Sequence, residues 1–380
     1  MRLALLLSLV WLLSSCLKDP DHSLKQQACD PILPFANTHT LDAELQSLME
    51  RAHENGLPGI SVSIHSASKG SFFGTFGKAD LHNGIALSPC HTLRAASFSK
   101  TLMATAFIQL HDEGKIDLES PISDLLPVDV LEGLDKANET SIAELLNHTS
   151  GIPNYDDNSR FVAAVLNEPG AELSTHDRLN FAKELGGIPD WVIEKFGYIY
   201  SNTNYLLLEL ILEATTGEPY DQYLDKHILQ PTGMFSSSFG TKNAYPESLC
   251  VGYCDMYDNG RLREVSAFDA RRWSGEAALI SNTSDMYRFF EALLQARLTS
   301  AEGIELMKNE QYGLLKESIA GHEGIGHDGL AIGYSSQMWH FPDMELTVIL
   351  MANQGRISGD QESIAPFERL LEDIVSLHRE

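Results

Sequence analysis

Ser97 and Lys100 stand three residues apart at the start of a long apolar stretch. In a helix this spacing places both side chains on one face, within reach of each other. Lys100 shares that face with Met103, Ala104 and Phe107, so we expect a buried amine whose pKa is lowered by lost solvation. A neutral lysine can take the proton of a serine hydroxyl, and the pair therefore predicts a nucleophilic serine with its base. The alternative is a serine that only caps the helix and a lysine that extends to solvent.

Two later segments also carry polar groups at points where secondary structure begins. Tyr200 and Asn202 directly precede a predicted helix that starts near Asn204, and His327 with Gly329 precedes a predicted strand. A glycine-flanked histidine there permits close backbone approach by a ligand. The alternatives are a polar helix cap in the first segment and a flexible surface loop in the second.

These motifs follow one another in a fixed order along the chain: Ser97-x-x-Lys100, Tyr200-x-Asn202 and His327-x-Gly329. The set resembles the three motifs of class C β-lactamases and related penicillin-recognising peptidases and esterases. Two intervening segments, 146–152 and 273–286, are similar to sequences of the same family. The resemblance covers roughly residues 40–355, which is almost the whole chain after its N-terminal region.

The resemblance implies three catalytic residues. Ser97 is the nucleophile and forms an acyl-enzyme. Lys100 and Tyr200 share the proton transfers, and which of the two is the base stays open.

The resemblance also implies a substrate-binding set. Asn202 orients the substrate amide and Lys100. His327 and Gly329 form the third motif, with His327 where many relatives carry lysine. The oxyanion hole consists of the backbone N–H groups of Ser97 and Leu330. No cofactor is implied.

The third motif bears on the substrate because Asp328 occupies its middle position. An exposed carboxylate there would repel a substrate carboxylate by roughly 1 to 4 kcal/mol at about 4 Å. His327 is largely neutral at pH 7 and would not offset this. We therefore expect a serine hydrolase of the D-Ala-D-Ala carboxypeptidase or D-amino-acid peptidase type, or an esterase, acting on a small-molecule or peptide substrate such as peptidoglycan. The alternatives are a true class C β-lactamase and a penicillin- or peptidoglycan-binding protein with little turnover.

Other motifs in the chain do not point to a cofactor or a metal. The glycines of Gly324-x-Gly326-x-x-Gly329 match a dinucleotide-binding fingerprint, but they lead into a strand instead of opening a helix. His322 and His327 are five residues apart, so they would not share a helix face as zinc ligands do. We expect no metal site.

The order of predicted elements indicates an α+β fold. Strand-like segments near 60–76 and 332–351 bracket a mostly helical middle, and helices are predicted near 40–55 and 363–378. We expect one antiparallel sheet flanked by the terminal helices, with an inserted helical region. The domain would span 40–380, its sheet part about 40–96 and 325–380 and its helical part about 97–324.

The composition excludes some partners. The chain of 380 residues carries a formal net charge of −26 at pH 7. A nucleic-acid-binding protein needs a basic face, so this charge argues against that class. It equally argues against docking on an anionic membrane through surface charge.

The N-terminus is typical of an exported protein. Residues 1–15 combine Arg2 with an apolar run too short to span a bilayer, as in a secretory signal peptide. Cys16 ends a segment that resembles a bacterial lipobox, which predicts lipidation there and a tether over 16–39. The expected location is a membrane-anchored lipoprotein facing the periplasm or the cell surface, held by its lipid alone. The alternative is an ordinary signal peptide with a chance cysteine.

Four cysteines remain when Cys16 is set aside: Cys29, Cys90, Cys250 and Cys254. In an exported protein they permit two disulfides with open connectivity, and Cys250 with Cys254 could close a small loop. The alternative is buried thiols.

Overall fold

A computed structural model describes residues 36–168, 172–240, 246–266, 274–356 and 364–379. The predicted signal peptide, Cys16, Cys29 and most of the predicted tether lie outside these ranges, as does Trp273.

A seven-stranded antiparallel sheet forms one half of the molecule. Its strands lie in the order β3-β2-β1-β12-β11-β10-β9, with bounds β1 Gly59–Ser66, β2 Gly70–Asp80, β3 Ile85–Ala86, β9 Leu315–Ile319, β10 His322–Ala331, β11 Tyr334–Phe341 and β12 Leu346–Ala352. The central pair β1 and β12 comes from opposite ends of the chain, with Ile60 opposite Ala352. Both predicted hairpins, β1–β2 and β11–β12, are confirmed.

Helices form the rest of the molecule. They are α1 Asp42–Glu54, α2 Ser99–Asp112, α3 Val128–Leu131, α4 Ile142–Leu146, α5 Ser159–Asn167, α6 Thr175–Lys183, α7 Asp190–Phe196, α8 Asn202–Thr216, α9 Tyr220–Leu224, α10 Gln230–Thr232, α11 Thr283–Leu294, α12 Ala301–Glu310 and α13 Ala365–Leu377. Two small sheets lie among them, built from β4 Leu93–Arg94, β5 Ser238–Phe239, β6 Tyr253–Cys254, β7 Arg263–Glu264, β8 Leu279–Ser281 and β13 Gln354–Gly355.

The large sheet is covered on both faces. One apolar cluster joins Ile64, Val348 and Trp339 to the terminal helices α1 and α13, and a second joins Met338 and Ile349 to the helical region. Strand β12 is buried along its whole length for this reason. The predicted α+β fold, with terminal helices on the sheet and an inserted helical region, is confirmed.

Two local expectations differ from the structure. Helix α1 has Leu41 at its N-cap without a side-chain cap, so Thr40 does not cap it. The sheet begins at Leu315, about ten residues before the expected boundary, because β9 pairs with the first half of β10. Strand β9 is short and mostly exposed, and its sequence carries little of the apolar signal from which strands are predicted.

A pair of buried histidines ties the start of the domain to its last helix. His39 Nε2 lies 3.0 Å from His378 Nε2, His39 Nδ1 accepts from the Leu41 N–H, and His378 Nδ1 lies 2.7 Å from the carbonyl oxygen of Ile374. Burial and the neighbouring His378 lower the pKa of His39 to about 4. Both rings are therefore neutral at pH 7, and the chain of hydrogen bonds fixes their tautomers.

The four cysteines do not form the two disulfides that their number permits. Cys250 and Cys254 are buried thiols, whereas Cys90 is disulfide-bonded. The backbone from Cys250 runs along its neighbours, with hydrogen bonds from Cys250 N–H to Thr92 and from Tyr253 N–H to Asn353. The segment thus bonds to neighbouring strands and loops, and its two cysteines remain separate thiols. For this pair the alternative of buried thiols is confirmed.

Among the helices that the structure describes, none has the length and apolarity needed to cross a bilayer.

Candidate active site

The segment that carries Ser97 is a tight turn held between two sheets. A 3-10 turn over Ala96–Phe98 connects β4 to α2, and Ala96 adopts the left-handed conformation with a φ of 50°. The Ala95 N–H donates to Leu279, and the Ala95 carbonyl accepts from Ser336 Oγ at 2.8 Å. A left-handed non-glycine residue is strained and persists only where its surroundings fix it. The strained residue here directly precedes Ser97.

Gly329 lies against this turn. A Cβ atom on Gly329 would come within 2.4 Å of the Ala95 carbonyl oxygen and 3.2 Å of the Ala96 Cβ atom. The third motif therefore needs glycine for the close packing of β10 on the Ser97 turn. We expected His327 just before a strand, but it lies inside β10, opposite Met338. The flanking glycines hid the strand because glycine weakens strand propensity.

The structure brings the three predicted catalytic side chains together. Ser97 Oγ lies 3.2 Å from Lys100 Nζ and accepts a hydrogen bond of 2.8 Å from the Tyr200 hydroxyl. Ser97 keeps partial exposure between buried neighbours on both sides. The residue is thus partly exposed, and its oxygen contacts two groups that can move protons.

Lys100 is fully buried, as its position on an apolar face predicts. Its Nζ donates a hydrogen bond of 2.8 Å to the Glu276 carbonyl and lies 5.1 Å from the centre of the Tyr200 ring. Burial lowers the pKa of Lys100 to about 8, although Glu276, Asp156 and Asp328 attract its charge and oppose the shift. A substantial fraction of Lys100 is therefore neutral near pH 8 and able to accept a proton.

Tyr200 differs from Lys100 in its readiness to ionise. Burial raises its pKa well above the ordinary value, with the hydrogen bond to Ser97 acting in the opposite direction. Tyr200 thus stays a neutral phenol that donates to Ser97. His148 packs against this ring at 4.3 Å, and its Nδ1 accepts from the Ser201 N–H at 3.2 Å. Burial and the Lys100 charge lower the pKa of His148 well below its ordinary value, so a neutral imidazole supports the phenol.

His327 is buried beside Tyr200, at 6.4 Å between ring centres. Burial lowers its pKa, and its Nδ1 faces the Asp328 carbonyl oxygen, which fixes a neutral tautomer with the proton on Nδ1. Asp328 is half exposed, and its Oδ1 lies 3.7 Å from His327 Nδ1. In the strand it shares a face with Gln337, opposite to the face of His327.

The remaining predicted binding residues are Asn202 and Leu330. Asn202 opens α8, and its Nδ2 donates to Asp156 at 2.6 Å, while its N–H donates to Asn154. Within the described ranges, no hydrogen bond links Asn202 to Lys100; the connection runs through Asp156, whose charge acts on Lys100. Leu330 follows Gly329 in β10, opposite Ser335.

Sequence reasoning missed several residues that support these groups. Buried side chains of Tyr155, Arg178, Glu209 and Glu276 form one hydrogen-bonded network behind Lys100. Their sequence signal was weak, because single polar residues in separate helices and turns do not indicate that they meet. A buried position for a glutamate within an apolar run, as for Glu209 among the leucines of α8, is a hint that the sequence does offer.

Comparison with known proteins supports the fold and shows the family. PbpX of Bacillus subtilis, which is named as a penicillin-binding protein, is 27% identical over 265 residues, covering 69% of this chain and 61% of that protein. The chain thus spans less than two thirds of that relative's length. The D-amino acid amidase of Ochrobactrum anthropi SV3 superposes with a TM-score of 0.74 at 25% identity, covering 89% of this chain and 99% of that one.

A D-stereospecific amidohydrolase from Streptomyces sp. superposes with a TM-score of 0.73 at 26% identity, covering 86% of this chain and 98% of that one. The family model described as Beta-lactamase matches residues 41–372, which include every described residue of the site. The chain therefore belongs to the Beta-lactamase family.

Proposed function

We propose that this protein is a serine hydrolase that cleaves an amide or ester bond through an acyl-Ser97 intermediate. The observation that carries the proposal is the contact of the Ser97 oxygen with both Lys100 and Tyr200, at 3.2 and 2.8 Å. Nucleophile and base within hydrogen-bond reach are the structural signature of covalent catalysis.

The protonation states assign a role to each group. Neutral Lys100 takes the Ser97 proton while Oγ bonds to the substrate carbonyl carbon, and the negative charge moves to the carbonyl oxygen. The bond to the leaving group then breaks, and that group leaves with a proton supplied through Tyr200 or Lys100. Water attacks the acyl-serine ester by the reverse sequence, which releases the acid and restores Ser97. The N–H groups of Ser97 and Leu330 are the proposed oxyanion donors.

The substrates that we propose are amides or short peptides of D-amino acids, such as D-alanine peptides of peptidoglycan, with simple esters as further acyl donors. The names of the two solved relatives support amides of this configuration. The third motif favours the neutral amides and esters among these, because a neutral His327 beside Asp328 offers no cation to the carboxylate that a D-alanine peptide carries. We propose further that the chain is exported and anchored through Cys16.

The test is acylation and turnover by the purified chain that follows Cys16. A fluorescent acylating probe and intact-protein mass spectrometry locate the acyl group, and a panel of D- and L-alanine amides, p-nitrophenyl acetate and nitrocefin defines the substrate. We expect an adduct on Ser97 and faster hydrolysis of D- than of L-amides. Ser97→Ala removes both, whereas Ser318→Ala, on the exposed edge strand β9, leaves both unchanged.

Equal labelling and hydrolysis in Ser97→Ala would refute the proposal. Labelling of Ser97 by a penicillin without release, and without hydrolysis of any member of the panel, would instead favour the penicillin-binding alternative.

A further inference from the structure

The position of the Lys100 amine depends on two contacts. Its Nζ lies 3.2 Å from Ser97 Oγ and donates at 2.8 Å to the carbonyl oxygen of Glu276. Because Ser97 is the reacting group, the Glu276 carbonyl is the fixed point of the two. The groups that fix this carbonyl therefore determine the position of the Lys100 amine, the proposed proton acceptor.

The Glu276 side chain is fully buried and closes back on its own turn. Its Oε1 accepts from the Tyr155 hydroxyl at 2.8 Å and from Arg178 Nη1 at 2.6 Å. Its Oε2 accepts from the Ser274 N–H at 3.0 Å. Arg178 is only 3% exposed, so the ion pair is formed away from solvent. Both carboxylate oxygens of Glu276 thus accept hydrogen bonds, Oε1 from the helical region and Oε2 from the turn itself.

The rest of the turn is held in the same way. Arg178 Nη2 donates to Ser274 Oγ at 2.8 Å, and the Gly275 N–H donates to Glu209 Oε2 at 2.7 Å. Burial raises the pKa of Glu209 to about 7, with Arg178 opposing and Glu276 adding to the shift. Three separate elements, α6, α8 and the turn at Tyr155, therefore fix the three residues whose last carbonyl receives Lys100.

We propose that Glu276 and Arg178 are positioning residues of the Ser97 site: their buried ion pair fixes the carbonyl that orients Lys100. The Glu276 carboxylate also attracts the charge of Lys100 and so opposes the loss of its proton. This inference rests on the proposed function for the role of Lys100, and its geometric part stands without turnover. Neither residue contacts Ser97, so each acts through Lys100.

The charges around Lys100 predict the direction in which its pKa moves when Glu276 is neutralised. The titratable groups facing it are Glu276, Asp156, Asp328, His148, His327, Tyr200 and Tyr205. Among the attractions that raise the pKa of Lys100, that of Glu276 is the largest. Glu276→Gln keeps the backbone carbonyl but removes this attraction, so the pKa of Lys100 must fall further below its wild-type value. A purely structural role would lower activity without moving this pKa.

The experiment measures Lys100 directly. Lysine labelled with ¹³C at Cε is incorporated, the Lys100 resonance is assigned with Lys100→Arg, and its titration is followed by NMR. We expect a pKa near 8 in the wild type and a decrease of about half a pH unit or more in Glu276→Gln. In parallel, Arg178→Met should lower the kcat of p-nitrophenyl ester hydrolysis about tenfold or more with KM unchanged, and Arg178→Lys should recover part of it.

Two further variants keep the outcome decisive. Glu276→Gln leaves a buried arginine without its partner, which can prevent folding, so Arg178→Met/Glu276→Gln removes both charges together. Asp285→Asn is the matched control, because it breaks another ion pair with a buried acid, to Arg288, that does not contact Lys100. An unchanged Lys100 pKa in folded Glu276→Gln, an equal decrease in Asp285→Asn, or a wild-type kcat in the folded double variant would overturn the inference. Absence of turnover in the wild type would count against the proposed function, while the titration would still decide the positioning role.

Discussion

Gly329 and Ala95 are packed so closely that a single added carbon on Gly329 would stand 2.4 Å from the Ala95 carbonyl oxygen. Backbone atoms cannot yield as the tip of a side chain can, so Gly329→Ala must push the Ser97 turn away from β10. We expect acylation of Ser97 to fall by about 100-fold or more, since misplacement of a reacting group by about 1 Å has effects of this size.

The matched control is Gly186→Ala, because a Cβ there meets no atom within 4 Å. Rates of probe labelling and p-nitrophenyl ester hydrolysis provide the measurement. Wild-type acylation by a folded Gly329→Ala variant would contradict the packing argument.

The pKa of Lys100 predicts the pH dependence of acylation. A base with a pKa near 8 is mostly charged at pH 7 and becomes neutral as the pH rises. Since the neutral form accepts the Ser97 proton, kcat/KM should increase about tenfold between pH 7 and 9 and then level off. Stopped-flow measurement of ester acylation across this range is the check. A flat or falling profile would show that Lys100 is not the base.

Tyr200→Phe separates the two proton-transferring groups. The phenol stays protonated because burial raises its pKa, so its removal deletes a donor to Ser97 and to the leaving group. We expect a loss of about 10²- to 10⁴-fold in hydrolysis of an amide, whose leaving group needs a proton. The loss for a p-nitrophenyl ester should be smaller, because p-nitrophenolate leaves without one. Equal losses for both substrates would contradict this role.

Asp328→Asn tests the basis of substrate choice. Asp328 faces away from His327 in the strand, but it is half exposed and its charge acts on Lys100 in the site. Its neutralisation should therefore improve kcat/KM for nitrocefin or a carboxylate-bearing peptide about three- to tenfold at low salt. Activity on a neutral ester should stay unchanged, and the gain should shrink at high salt. Asp343→Asn, an exposed acid near the far end of β11, is the control. No gain for anionic substrates would indicate that Asp328 lies too far from the substrate to matter.

Cys16→Ala tests the proposed anchor. Lipidation of Cys16 requires its thiol, so the variant expressed from the full chain in a bacterial host should move from the membrane fraction to the soluble exported fraction or remain unprocessed. Cell fractionation and mass spectrometry of the mature N-terminus provide the measurement. An unchanged membrane fraction in Cys16→Ala would exclude the lipid as the anchor.

The sequence predicted the features for which a local residue pattern also indicates the place of the segment in the fold. Lys100 on an apolar helix face indicated burial, and the structure places its amine beside Ser97. The hairpins were predictable because their strands are rich in β-branched and aromatic residues and their turns in glycine and proline.

The remaining features depend on contacts between distant segments. The strand around His327 contains three glycines and no periodic signal, and it exists because β11 pairs along it. The ion pair of Arg178 with Glu276 joins residues 98 positions apart, and no local pattern marks either partner. Similarly, the spacing of Cys250 and Cys254 permitted either a disulfide-closed loop or two buried thiols, and the structure shows the thiols.

The pairing of β1 with β12 has a consequence for how the protein folds. The centre of the sheet joins the first strand to one of the last, and the Ser97 turn receives its Ser336 contact across 241 residues. Such a high contact order delays sheet formation until nearly the entire polypeptide is available, because closing so long a loop costs entropy before any pairing is gained. The Ser97 site is therefore assembled late. A nascent chain that still lacks β10 to β12 already contains Ser97 and α2, but the contacts that hold the Ser97 turn against the sheet are not yet formed.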